Sequence, residues 1–222
     1  MSRLFAAIYD PFMRRAEQAG LAQWRAELLE GAAGDVLEIG AGTGANLPFY
    51  PPSIRRLHLT EPDPDMLARL RRRMNVARVP DVQAALSAVD ALPFDDATFD
   101  TVVSTLVLCS VPDVGRALAE VRRVLRPGGR LLFLEHVAAE GRPARLAWQL
   151  RIEPFWKHVS GNCHLTRRTG ESIRAAGFVV ERETRESVRG APSIVRPSIR
   201  GIARIGLKWA TLPVRAEAAT VC

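Results

Sequence analysis

The chain has 222 residues, 47% of them hydrophobic, enough to bury the core of one α/β domain. No apolar run approaches the ~20 residues that cross a bilayer, and Asp10 and Pro11 cut the apolar opening short, which argues against a signal peptide and for the cytoplasm. The net charge of +7 is almost all arginine, only Lys157 and Lys208 being lysines, and the arginines are scattered without a nucleic-acid motif, so no nucleic-acid partner is expected. Cys109, Cys163 and Cys222 show no CxxC spacing, which argues against a disulfide framework or a structural zinc site; no metal is expected.

Residues 1–33 read as a helical lid: Leu4, Ile8 and Phe12, then Leu21, Trp24 and Leu28, recur at three- and four-residue intervals, with a break at Pro11. Gly34-Asp35 turns the chain into the short buried strand Val36–Ile39, followed by the turn Gly40-Ala41-Gly42-Thr43-Gly44 and a helix start at Ala45-Asn46-Leu47. Strands are then predicted at 57–60, 82–86, 99–108, 130–135 and 178–183, with a last one over 194–204. Helices fall at 65–76, 114–125 and 169–176, the second stopped and turned by Arg126-Pro127-Gly128-Gly129. This alternation predicts an α/β fold: a seven-stranded, mostly parallel Rossmann-like sheet with helices on both faces, in one domain whose core is 34–204 and whose tail is 205–222. Ligands then sit beyond the carboxyl ends of the strands, where the glycine turn lies.

Glycines at 40, 42 and 44 let backbone approach a ligand closely. A dinucleotide fingerprint would place its third glycine one residue later, over a pyrophosphate. The early third glycine favours S-adenosyl-L-methionine, which has none. Glu61 ends the second strand about 20 residues further on, where a carboxylate can accept from both ribose hydroxyls. Asp90, with Val89 beside it, lies in a stretch that resembles the adenine-bordering segment of class I methyltransferases, which implies that Asp90 accepts from the adenine amino group and Val89 flanks the ring. Around these, Glu38, Thr43, Asn46, Pro62, Met66, Thr105 and Leu106 complete the predicted cofactor site.

The stretch Val89-Asp90-Ala91-Leu92-Pro93-Phe94 and the run Leu125-Arg126-Pro127-Gly128-Gly129 resemble class I methyltransferases. The resemblance extends to a narrower group. The glycine turn with Tyr50-Pro51-Pro52, Leu106-Val107-Leu108-Cys109-Ser110, Glu135-His136-Val137-Ala138-Ala139, Trp148-Gln149 and Asn162-Cys163-His164-Leu165-Thr166-Arg167 are similar to the methyltransferase-like protein 7 family, the alkyl thiol S-methyltransferases. It covers residues 8–204 or so. It implies methyl transfer from S-adenosyl-L-methionine to a small-molecule thiol, an alkyl thiol or a dithiol natural product. Animal members carry an apolar amino-terminal membrane anchor that the sequence given does not contain, so anchoring is not carried over.

A thiol needs only modest help to become a thiolate at neutral pH. His136, just past the fifth strand, is the first candidate for that help, and His164 the second. Tyr9, Phe12, Cys109, Trp148, Trp156 and Cys163 are the candidate pocket residues, with Phe5 and Phe155 as further lid and wall aromatics. The competing expectations are methylation of a phospholipid head group or quinone, and a protein that holds the cofactor without turning it over. A peripheral membrane contact through Arg196, Arg200, Arg204 and Lys208 would require that stretch to be helical, and it reads better as a strand. The protein is expected to act as a monomer or a dimer.

Overall fold

The computed structural model describes residues 3–206, with side chains from residue 8 onward. The side chain of Phe5, together with Lys208, Cys222 and the rest of the tail from residue 207, lies outside the described residues.

Helix α1 (Arg3–Ala16) runs on through Pro11. The expected break comes instead at Gly20, whose φ of 132° lies in a π-helical turn over Glu17–Leu21, before α2 (Ala22–Leu29). That conformation is open to glycine and strained for other residues. Strand β1 (Asp35–Ile39) leads to the glycine turn. No helix follows: a single 3-10 turn, Leu47–Phe49, is all that forms before β2 (Arg56–Glu61). Pro48, Pro51 and Pro52 remove the amide donors that a longer helix would need. Helix α3 (Pro64–Arg73) is capped by Asp63, whose carboxylate accepts from the amides of Asp65 and Met66.

The remaining elements are β3 (Val82–Leu86), β4 (Phe99–Thr105), α4 (Val114–Val124), β5 (Leu125–His136), α5 (Pro143–Val159), α6 (Thr169–Ala175), β6 (Phe178–Ser187) and β7 (Pro197–Ile205). The turn expected at 126–129 is a bulge inside the paired run of β5, with Gly128 at φ 77°. β4 stops at Thr105 rather than Leu108, because Leu106 adopts φ 61° and the amides of Val107 and Cys109 turn to the Glu135 carboxylate.

The seven strands form one sheet in the order β3-β2-β1-β4-β5-β7-β6. β1 to β5 are parallel, and β7 enters antiparallel between β5 and β6. The order reverses between β1 and β4, so a crevice opens at their carboxyl ends. Alternation of side chains divides the core. Leu37, Ile39, Val102, Leu131 and Phe133 pack with α4 and α6, whereas Val36, Val103, Leu132 and Leu134 pack with α2 and α3. At the opposite strand ends, Asp35 and Asp100 are clasped by Arg55 and Arg126, and Arg56 adds a further bond to Asp35, so the sheet is pinned on the side away from the crevice. Among the described residues, no helix is long and apolar enough to cross a membrane.

Candidate active site

The glycine turn sits at the order reversal. Gly40, Gly42 and Gly44 all have positive φ. A Cβ at Gly40 would lie 2.7 Å from the Val107 side chain and one at Gly44 2.6 Å from Leu47, whereas one at Gly42 would meet nothing within 4 Å. The turn is therefore packed on its flanks and open at its centre. Glu61 faces it: one carboxylate oxygen accepts from the Gly42 amide at 2.8 Å and the other from the Asp63 amide at 3.0 Å. Burial pushes the Glu61 carboxyl above its ordinary range, and spare lone pairs remain on both oxygens. Val89 is buried at the crevice and Asp90 half-buried, its backbone carbonyl accepting from Arg116. Met66 is buried on α3, Leu106 is partly buried, and Pro62 is exposed. An open turn, a carboxylate facing it and an apolar residue beside an acid past the third strand fit S-adenosylmethionine.

Three predicted cofactor residues are bonded chiefly to one another and to their neighbours. Glu38, Asn46 and Thr105 are all buried, and their polar atoms are spent on one another. The Asn46 amide donates to Glu38 at 2.9 Å and to Thr105 at 3.0 Å, Tyr50 donates to Glu38 at 2.7 Å, and Arg25 donates to Asn46 at 2.8 Å and Thr105 at 3.1 Å. They form a polar floor that shapes the turn from beneath. Burial raises the Glu38 carboxyl to about 7. Thr43 is likewise engaged, donating to Asp10 of α1 at 2.5 Å, and Asp10 also pairs with Arg73 of α3 at 3.2 Å. Asp10 and Arg25 are thus site residues that pattern reading missed. Both belong to the lid, and nothing local in sequence ties them to a turn 33 or 21 residues away.

Beside Leu106 lies a mostly apolar cavity of about 330 Å³. Ile8, Tyr9, Phe12 and Met13 of α1 form one wall, and Trp156 and Val159 of α5 another. Burial holds the Tyr9 hydroxyl up to about 12, so it stays neutral. The polar end of the cavity is made by Cys109, His136 and Cys163. Their ligating atoms all lie within 4.8 Å of one another, and the Cys163 sulfur is 3.5 Å from His136 Nδ1. A hydrogen bond to Cys163, together with burial, keeps the Cys109 proton well above the usual thiol range, and the same bond lowers Cys163.

Backbone bonding brings these three together. Glu135 is buried, accepts from Ser104 at 2.6 Å and from the amides of Val107 and Cys109 at 3.2 Å, and so fixes the loop after β4. The His164 amide donates to the Cys109 carbonyl, and the Asn162 side chain to the Ser110 carbonyl, each at 2.8 Å. Arg167 donates to the carbonyls of Leu108 and Val111 at 2.7 Å. The sequence motif flagged Glu135, Asn162 and Arg167 without a role; their role is to bolt the two cysteine loops together.

Two expectations are corrected. The His164 imidazole turns away to Glu153 at 3.4 Å and is not part of the cavity lining. Trp148 is 58% exposed on the outer face of α5, because it is the neighbouring Gln149 that points inward. Gln149 is wholly buried, accepting from the Ala139 amide at 2.7 Å and donating to the Ile194 carbonyl at 2.8 Å. Phe155 is also exposed. Arg200 lies on β7, paired with Glu186 at 2.9 Å and with Glu27, and Arg204 forms an ion pair with Glu181 at 2.5 Å; with Lys208 beyond the described residues, no helical basic face forms from Arg196 to Arg204. A second, larger cleft of about 740 Å³, lined by Arg142, Arg145 and Arg189 among others, contains none of the predicted cofactor residues.

Fold and site together define a class I S-adenosylmethionine-dependent methyltransferase domain. A family model described as a methyltransferase domain matches residues 37–133. A chain of the solved Haloferax volcanii complex between the Trm112 methyltransferase activator and a methyltransferase superposes with a TM-score of 0.67 at 18% identity, covering 92% of this chain and 97% of that one, which shows the fold alone. Thiol S-methyltransferase TMT1B of Rattus norvegicus is 41% identical over 68% of this chain and 63% of its own length. Thiol S-methyltransferase TMT1A of Homo sapiens is 37% identical over 76% of this chain and 69% of its own. The chain belongs to the thiol S-methyltransferase family, and it spans a little under two thirds of the length of the rat relative.

Proposed function

We propose that this protein transfers a methyl group from S-adenosylmethionine to the sulfur of a small, apolar thiol. The observation that carries the reading is the apolar cavity beside Leu106 whose polar end, among the described residues, is made of Cys109, Ser110, His136, Cys163 and a few neighbouring hydroxyls. When bound, S-adenosylmethionine supplies a methyl on a sulfonium, a good leaving group. Glu61 would hold the ribose, Val89 and Asp90 the adenine, and the open centre of the glycine turn the amino-acid end.

The chain's own work is then positioning and desolvation. The walls from α1 and α5 hold an alkyl group and keep water from the sulfur, and correct placement of two reactants can supply several kcal/mol, up to about 7–11. An apolar cavity disfavours a thiolate, so the thiol must meet its charge-stabilising group at the Cys109–His136–Cys163 end. His136 at that end is the nearest titratable ring to the sulfur's place. The Asp10 latch from α1 to Thr43 and Arg73 couples closure of the substrate wall to the cofactor turn.

The test is a turnover assay with labelled S-adenosylmethionine against alkyl thiols, hydrogen sulfide, a dithiol, a phenol, phosphatidylethanolamine and a demethylated quinone. Label is expected in the thiols. Label entering only the lipid amine or the quinone ring would overturn the reading, and cofactor binding with no transfer to any acceptor would favour a binding protein.

A further inference from the structure

We propose that Cys109, His136 and Cys163 form a three-ligand site for a soft divalent cation, Zn²⁺, whose fourth position opens into the substrate cavity and takes the substrate sulfur. The spacing suits the ion. Tetrahedral bonds of about 2.3 Å to sulfur and about 2.0 Å to nitrogen put those two atoms about 3.5 Å apart, and Cys163 Sγ stands 3.5 Å from His136 Nδ1. All three ligating atoms fit within 4.8 Å of one another. Two thiolates and an imidazole are a donor set that selects zinc over the hard cations, and three protein ligands with one open position is the arrangement of zinc sites that act on a bound molecule.

A second observation points the same way. His136 is 3% exposed and lines the cavity, yet its Nε2 is buried without a hydrogen-bond partner among the described residues. Its Nδ1 lies 3.5 Å from the Cys163 sulfur, and the ring also interacts with the Cys109 sulfur. The two sulfurs and the imidazole thus already converge, and an ion between them would fix the ring's tautomer and direction. The ligands come from three segments held rigidly to one another, by Glu135 beneath the Cys109 loop and by the bonds from His164 and Asn162 to Cys109 and Ser110. Such pre-positioning in an otherwise apolar hollow goes beyond what packing two cysteines requires.

The proton balance is simple. Cys109 and Cys163 release their protons to solvent when the ion binds. A substrate thiol then loses its own proton to solvent as its S–H bond breaks and a sulfur–zinc bond forms. The ion takes over the charge-stabilising role that His136 would otherwise fill, and a neutral thioether is a weak ligand that leaves. The ion site itself stands independently; its fourth ligand rests on the thiol reading above.

The experiment strips the purified full chain with a chelator and titrates it with Zn²⁺ and with Co²⁺. One ion per chain is expected, with thiolate-to-cobalt charge transfer and the strong visible bands of a tetrahedral cobalt site. Those bands are lost in Cys163→Ser and in His136→Ala, while both variants still bind S-adenosylhomocysteine within about twofold, which shows that they fold. A small alkyl thiol shifts the cobalt bands. Absence of stoichiometric binding, or equal binding by the two variants, overturns the site. Thiol turnover undiminished in metal-free protein, or cobalt bands left unmoved by a thiol that the enzyme does methylate, overturns the fourth-ligand assignment. A metal-loaded protein that methylates no thiol sinks the thiol reading and leaves the ion site standing.

Discussion

The proposed cofactor half and the proposed substrate half of this crevice are built on different principles. The cofactor half is a run of short sequence neighbours: a turn of alternate glycines, a carboxylate at the next strand end, an acid past the third. Each sits at the carboxyl end of a parallel strand, so topology alone gathers them. The substrate half is drawn from α1, the loop after β4, the end of β5, α5 and the loop beyond it, and only tertiary hydrogen bonds bring its reactive ends together. The first can be read from spacing; the second depends on buried bonding groups such as Glu135 and Gln149 that have no chemistry of their own.

The two halves should come apart under mutation. The largest effect is expected for His136→Ala, which should lower thiol turnover by about 100-fold or more, the scale of losing a positioned group at the reacting atom, while affinity for S-adenosylhomocysteine by calorimetry stays within about twofold. A parallel loss of cofactor affinity would mean that the halves are not separable.

Next comes the polar floor between them. The fold holds Glu38 at about 7, above its ordinary 4.5, so it favours the neutral carboxyl. Stability from this group is fully present below the ordinary value and is lost as pH rises through about 7. Glu38→Gln lacks this loss. Its stability relative to the native chain, from denaturant melts, should therefore rise between about pH 4 and about pH 8, by up to about 3 kcal/mol. A flat difference would show that folding leaves the Glu38 carboxyl unshifted.

Glu61→Gln should weaken S-adenosylhomocysteine binding by about 10- to 100-fold, the worth of hydrogen bonds to a charged acceptor, and leave the apparent KM for thiol little changed. The smallest effect is expected for Trp148→Ala. An exposed side chain outside the cavity should change stability by less than about 0.5 kcal/mol and thiol turnover not at all. A clear drop in turnover would return Trp148 to the substrate half.

Legibility in the sequence follows the same division. Every strand was legible from apolar patterning, and the parallel sheet followed from the alternation of elements. The ends were less so: Leu106 in a left-handed conformation cuts β4 short, and three prolines remove the helix expected after the glycine turn. Glu61 could be singled out because it ends a strand at a set distance from the turn, and Asp90, in the turn past the third strand, because its stretch resembles that of class I methyltransferases. Glu38, Asn46 and Thr105 carried the right residue types for ligand contact, but the fold directs them toward each other and toward Arg25.

What the sequence by itself determined is the sheet, the cofactor turn and the family, because each depends on contiguous residues obeying a fixed period or spacing. What only the tertiary structure decided is where three side chains at 109, 136 and 163 meet, which of Trp148 and Gln149 turns inward, and that Asp10 latches the lid. Those outcomes depend on the direction of a side chain and on buried carbonyls finding donors from distant loops. No local pattern carries that information, because the loss of water around each buried polar group is compensated only once the whole crevice has closed.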